Sequence, residues 1–205
     1  LGLFINNFSS KEIVESYGSF YNNSKIIGSR TFKNYNIMKD EKLWEEVKAD
    51  PKKAEYFERG SGHSSLFAHA FYIWRDSKIL GIGYKNFYNK TIEKKLTRET
   101  THPHNYYLDV LVSTGLLGLI ILIAYLIILF IKVIYFLIIN IKKINQKKFD
   151  VLIVAFINFL VFFFPLKSSG SFFTTSSSTY MMITLVVLLS QLETFNSKKN
   201  LFKYF

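Results

Sequence analysis

Thr101-His102-Pro103-His104-Asn105 sets two imidazoles on either side of a proline, a few residues before the chain runs into unbroken hydrocarbon. Imidazole titrates near neutral pH and is the usual general base, so a histidine at a lipid boundary can take a proton from a substrate held there. All four histidines (His63, His69, His102 and His104) fall between residues 63 and 104, in a stretch that also carries Arg75, Lys85 and Arg98. A helix expected to begin at Thr101 or His102, with Pro103 at its first position, presents unpaired N–H groups and the positive end of a dipole, which attract anions. The chemistry these residues suit is therefore a base beside an anionic lipid head group. Zinc is the rival use of His-x-His, but the chain has no cysteine and no third ligand at a fixed spacing, so no metal and no cofactor is expected.

The elements that must position these groups are mostly membrane-like. Leu116 to Ile139 is apolar apart from Lys132 and, as a helix, covers about 36 Å, more than the roughly 30 Å of a hydrocarbon core. Lys132 lies near the far end, where its stem can snorkel. A continuous helix from Thr101 puts His104, Leu108, Leu111 and Gly115 on one face and His104 about 18 Å above Leu116. Phe149 to Pro165 reads as a second, short span, and Phe172 to Leu192 as a third. The lysines of 141–150 and of the tail assign both to the cytoplasm, because short cytoplasmic loops collect basic residues. The expected organisation is a cap over 1–109 outside the cytoplasm and a transmembrane helix over 110–140. A Lys-rich hairpin (141–148), a helix (149–165), an outer turn (166–171), a helix (172–192) and a cytoplasmic tail (193–205) complete it. The fold class is an all-α, multi-pass transmembrane bundle with a mostly helical outer loop domain.

The net charge of +11 does not argue for nucleic acid, because beyond residue 109 the lysines flank apolar runs and only Asp150 and Glu193 oppose them. LGLFINNF resembles the trailing edge of an earlier span. In the cap, Asp40 is expected to cap EKLWEEVKA, with Leu43, Trp44 and Val47 on one face. Asp50-Pro51 caps and starts KKAEYFER, which Gly60 and Gly62 end. SSLFAHAFYIWRDSK follows as a helix with Leu66, Ala70, Ile73 and Trp74 at helical spacing; Gly81 and Gly83 mark a turn, and 89–100 reads as a polar loop.

With these residues placed, HPHNYYLDVLVSTGLLGLI resembles the signature of the O-antigen ligase and polymerase superfamily, a His-Asn/Ser-x-x-Leu motif followed by paired glycines. His104, Asn105 and Leu108 match its first part, Gly115 and Gly118 its second. SGHSSLFAHAFYIWRDSKILGIGYKNF (61–87) resembles the stretch that precedes the motif, and FPLKSSGSFFTT (164–175) a Pro-x-x-x-x-Gly-x-Phe-Phe turn of one branch. The resemblance covers about 60 to 192.

It implies transfer of a glycan from undecaprenyl pyrophosphate to a sugar hydroxyl, on lipid A–core for ligases or on a lipid-linked repeat for polymerases. The setting is the periplasmic face of a bacterial inner membrane, and the mechanism inverts the anomeric carbon without a metal. His104 then accepts the acceptor's proton. His63, Lys85, His102, Asn105, Arg59 and Arg75 are candidates for binding substrate or pyrophosphate, with Arg98 and Lys167 as further cations. Full members carry additional spans, so these 205 residues alone are expected to be inactive. Three positions depart from the family pattern: Gly62-His63 stands where ligases often have arginine, Ser113 where many have Glu, and Tyr88 where many have Arg.

Plainer roles stand beside these. His102 suits an orienting role and His69 core packing, while His63 divides evenly between phosphate contact and helix-end filler. Lys85 suits a solvated lysine, and Gly115 with Gly118 close helix packing. The hydroxyls of Ser168 to Thr179 either satisfy one another or line a sugar path. The alternative function is a non-enzymatic membrane component of lipid-linked glycan transport or assembly. That role predicts ionisable residues along an intramembrane path, and the spans hold only Lys132.

Overall fold

The computed structural model describes residues 10–59, 63–140, 146–165 and 170–196, and among these there are eight helices and no strand. The chain's first nine residues, Gly60 and Gly62, most of the Lys-rich hairpin, Lys167 and the final tail lie outside the described residues.

The longest element of the cap carries no clear sequence signal. Helix α1 (Ser10–Lys39) buries Thr31, Asn34 and Met38 toward its end, and its other apolar residues are scattered, with Phe32 exposed. Two short helices follow, each started by an aspartate. The Asp40 carboxylate accepts from the N–H groups of Lys42 and Leu43, both at 3.1 Å, and opens α2 (Glu41–Ala49). Asp50 does the same for Lys52 at 2.9 Å and opens α3 (Pro51–Glu58), with Pro51 at the first position. Trp44 is buried, as the spacing predicts, and packs against the buried Phe57; Leu43, expected on the same face as Trp44, is exposed.

Helix α4 (His63–Trp74) is the centre of the cap, packed on one side by α1 and on the other by the start of α6. Ser64, Ser65, Ala68 and Ala70 are buried, and side chains this small let the neighbouring helices approach closely. The polar loop expected over 89–100 is partly wrong. A short helix, α5 (Phe87–Glu93), runs through it and buries Phe87 and Thr91, with Leu96 just beyond. Three anchors among lysines and asparagines are too sparse for their period to show.

Helix α6 (Tyr106–Asn140) starts later than expected and is not continuous. Gly115 has φ 70° and ψ −167°, a region open essentially only to glycine, and breaks the helix there. An unbroken helix would bond the N–H groups of Leu116 and Leu117 to the carbonyls of Val112 and Ser113. Instead, the loop 78–83 is spliced into the gap. Leu116 donates to Lys78 at 2.8 Å and Leu117 to Ile79 at 3.2 Å, while Val112 accepts from Ile82 at 2.9 Å and Ser113 from Gly83 at 3.0 Å. Two lost bonds become four, and the Gly-Ile-Gly turn is locked to the helix. Gly81, with φ 73°, makes the approach possible: a Cβ there would lie 2.5 Å from the Ser113 carbonyl.

The second half of α6 packs with α7 (Gln146–Phe162) and α8 (Thr175–Asn196) around Leu129, Val133, Leu152, Phe159 and Leu188. Tyr106–Ile139 and Thr175–Glu193 are long and apolar enough to cross a membrane, and Phe149–Phe162 is a shorter apolar helix. Their outward-facing residues, such as Ile121, Ile138 and Val186, are exposed and apolar.

Candidate functional site

The residues that open α6 fasten it to the far end of α7. Asn105, not Thr101, caps the helix: its carbonyl oxygen accepts from Tyr107 at 3.0 Å and Leu108 at 3.2 Å, and its amide donates to the Pro165 carbonyl at 2.8 Å. The Tyr107 hydroxyl donates to the Phe163 carbonyl at 2.6 Å, and Tyr106 packs against Phe162 and Phe172. One turn on, the buried Asp109 carboxylate accepts from the Ser171 hydroxyl at 2.7 Å and the Phe172 N–H at 2.8 Å. Tyr84 reaches the same turn from the cap, donating to the Phe173 carbonyl at 3.2 Å.

Pro103 is therefore buried in the approach to the helix rather than at its first position, and His104 lies outside the helix. His104 does not share a helical face with Leu108. Its backbone is left-handed, φ 56°, an uncommon state for any residue but glycine, although histidine, like asparagine and aspartate, enters it more readily than most. Strain of this kind persists only where the surroundings impose it. Here it brings the ring to 4.3 Å from that of His102 and 6.2 Å from that of His63, centroid to centroid.

These neighbours set the protonation state. Partial burial holds the His104 pKa below the ordinary 6.5, and the positive charge that His102, His63 and Arg98 carry or can acquire pushes it further down. Burial lowers His102 as well. Nδ1 of His63 and Nε2 of His102 are buried and have no partner among the described residues, while Nδ1 of His102 meets the Thr101 hydroxyl at 2.9 Å. Burial thus favours the neutral form of His102 and His104, and the cluster holds unused nitrogen atoms on His63 and His102. Such a cluster can accept a proton and hold a polar group. Among the described residues no group of three or more His, Cys, Asp or Glu is arranged to hold a metal ion.

A groove of about 580 Å³ opens beside His63, between α1 and α4. Phe32, Tyr35, Phe67, Phe71 and Trp74 line it, and Pro165 closes the end nearest the histidines.

The other candidates are dispersed. Arg59 pairs with Glu55 at 2.9 Å, the Arg75 guanidinium sits 4.9 Å from the Tyr72 ring centre, and the Lys85 ammonium sits 5.1 Å from that of Tyr84. Arg98 is the cation whose field reaches His104. The sequence ranks it no higher than its neighbours, and only its place six residues upstream hints at it.

His69 is core, as its spacing predicts. It is fully buried and stacks on Phe57 at 5.9 Å. Thr97 donates to the Glu58 carboxylate, so His69 Nε2 must donate to the Thr97 oxygen 3.2 Å away. Burial, with a smaller contribution from Arg98, drives its pKa down to about 3. Between that value and 6.5 the unfolded chain binds a proton that the folded one refuses, so stability falls as pH drops through this window, by up to about 1.4 kcal/mol per unit. Thermal unfolding at a series of pH values should show this slope, and a His69→Gln variant should lose it.

Three hydroxyls of the 168–179 stretch bond a carboxylate or backbone carbonyls rather than one another. Ser171 bonds Asp109, Thr174 donates to the Ser171 carbonyl at 3.1 Å and Ser178 to the Phe172 carbonyl at 3.1 Å.

Fold and site together define an all-helical, membrane-associated protein with a histidine cluster at the root of an apolar helix. The O-antigen ligase family model matches residues 20–123, half of the chain, and the protein belongs to that family. The match takes in the His-Asn motif and the block before it and reaches upstream through most of α1; the 164–175 turn lies beyond it. No curated protein and no solved structure matches the chain. Membership carries O-antigen ligase-type, glycosyltransferase-like activity, with a lipid-linked glycan and lipid A–core as the general partners.

Proposed function

We propose that this protein transfers a glycan from undecaprenyl pyrophosphate to a sugar hydroxyl at the periplasmic face of a bacterial inner membrane, with His104 as general base. The observation that carries the reading is His104 itself: a left-handed, half-buried imidazole held neutral between two other histidines, in the residue slot of the family motif. The acceptor oxygen attacks the anomeric carbon on the face opposite the diphosphate. The bond to the diphosphate oxygen breaks with its electron pair, undecaprenyl pyrophosphate departs, and the acceptor's proton moves to the free nitrogen of His104. Inversion follows from that in-line geometry, and neither step calls for a metal. Arg98, whose positive charge acts on His104, is the candidate to compensate the leaving charge. His63 and His102 offer unused nitrogens to substrate hydroxyls, and the aromatic groove beside His63 suits an isoprenoid chain.

In this reading residues 1–109 form the periplasmic cap, and the helices over 110–140, 149–165 and 172–192 cross the membrane as part of a multi-pass bundle. The exposure of Ile79 and Leu80 beside the exposed Leu116 and Leu117 fits a spliced loop that dips to the lipid boundary.

The reading is tested with the full-length gene product in membranes, supplied with a labelled undecaprenyl-pyrophosphate glycan and either lipid A–core or a second lipid-linked glycan. Transfer that survives a chelator and inverts the anomeric centre supports it, and the acceptor consumed separates ligase from polymerase. Failure with both acceptors, in membranes that complement a strain lacking the gene, favours the non-enzymatic role. A base must be neutral to act, so the lowered pKa of His104 places the acid limb of the pH–rate profile below that of an ordinary histidine. Arg98→Gln removes a positive neighbour and should shift that limb to higher pH.

A further inference from the structure

A second cavity, of about 370 Å³, lies in the cap between α1, α2 and α3 and is not lined by His63, His102 or His104. Its wall carries five cations from separate stretches of chain: Arg30 and Lys33 on α1, Lys52 and Lys53 on α3, and Arg59 just after it. No carboxylate lines it. Lys53 is neutralised by Glu46 at 3.1 Å and Arg59 by Glu55 at 2.9 Å. Arg30 and Lys52 make no ion pair among the described residues, and Lys33 meets the Tyr56 ring, its ammonium 6.0 Å from the ring centre, so no carboxylate partners these three charges. Three cations on the wall of one concavity, with no carboxylate partner, make a positive patch that favours a bound anion.

The rest of the wall narrows the choice of anion. Ile37, Val47 and Phe57 give an apolar floor, and Tyr56 offers an exposed ring at the side. Flat apolar and aromatic surface beneath a ring of cations suits the face of a pyranose that carries phosphate. Inorganic phosphate alone would leave that floor wet. We infer that this cavity binds a phosphorylated sugar of a glycan, apart from the histidine cluster and whether or not His104 is a base. In this family a phosphate-bearing sugar held in the cap would anchor one glycan while another of its hydroxyls reaches the transfer site.

The experiment is calorimetric titration of the full-length protein in neutral detergent with glucose 6-phosphate, glucose and inorganic phosphate, at two salt concentrations. Glucose 6-phosphate should bind saturably, more weakly in high salt and at least tenfold more tightly than either fragment of itself. The triple variant Arg30→Gln, Lys33→Gln, Lys52→Gln should lose at least tenfold in affinity, with Arg30→Lys and His104→Ala unchanged. These side chains are exposed, so the triple variant should keep the wild-type unfolding temperature. Equal binding by the folded triple variant overturns the assignment, as does no saturable binding by wild type. Competition by phosphatidylglycerol nanodiscs stronger than that of glucose 6-phosphate overturns the glycan in favour of a lipid head group.

Discussion

His104→Ala should abolish glycan transfer, lowering the rate by roughly 10²- to 10⁴-fold, the usual contribution of a positioned general base. The variant is expected to accumulate in the membrane at the wild-type level, because the ring is only half-buried and makes no hydrogen bond among the described residues. Its backbone is left-handed, which alanine tolerates poorly and glycine well, so His104→Gly is the companion variant: it keeps the turn and removes the imidazole. Both should fail alike when expressed in a strain lacking the gene, with surface glycolipids resolved on a gel. Bare core with lipid-linked polymer accumulating identifies a lost ligase, and core capped by a single repeat a lost polymerase. His102→Ala should retain partial activity, since His102 meets Thr101 on one side and lies against His104 on the other. An unchanged ladder in both His104 variants sinks the base assignment, leaving His104 as a turn residue.

That the histidines come together was legible in the sequence only as proximity along the chain. His102 and His104 are neighbours by number, and the motif singles out His104, but nothing in the spacing brings His63 to it. The packing of α4 against α6 does that, and it joins segments far apart in sequence. The aspartate caps, the burial of Trp44 and the core role of His69 were legible because each shows in its near neighbours along the chain: the acid ahead of a helical run, or apolar residues such as Phe67, Ala68, Ala70 and Phe71 around His69. Helix α1 was not, since a long helix half in water buries too few side chains for a period to show. Proline at a first helical position misled the start of α6, where the asparagine two residues on makes the better cap. The scattered cations Arg59, Arg75 and Lys85 were equally plausible by composition. Only the fold shows that each is occupied by a carboxylate or an aromatic ring, while the charge of Arg98 acts on His104.

Gly115→Ala should be the most damaging single substitution outside the histidines, for a reason the motif alone conceals. Paired glycines ahead of an apolar run suggest two helices packed closely, and a methyl group at such a contact often costs little. Here Gly115 occupies a backbone state that alanine reaches only with about 1–3 kcal/mol of strain. Its Cβ would also fall inside the Ile79 carbonyl, which is backbone and cannot rotate away. Relief means expelling the 78–83 loop, and with it the four hydrogen bonds that splice loop to helix, each worth about 1 kcal/mol. The combined loss is of the order of 4 kcal/mol, enough to unfold a marginal protein or to restore a continuous helix that swings Asn105 off Pro165 and moves the adjoining His104 with it. Gly18→Ala is the control: the site lies within α1 with open space around it, so the change should stabilise that helix slightly. Protease sensitivity of the 78–83 loop in membranes, measured beside glycan transfer, separates the cases. Gly115→Ala should expose the loop and lose activity together. A protected loop with normal transfer would mean that the splice does not hold the histidines in place.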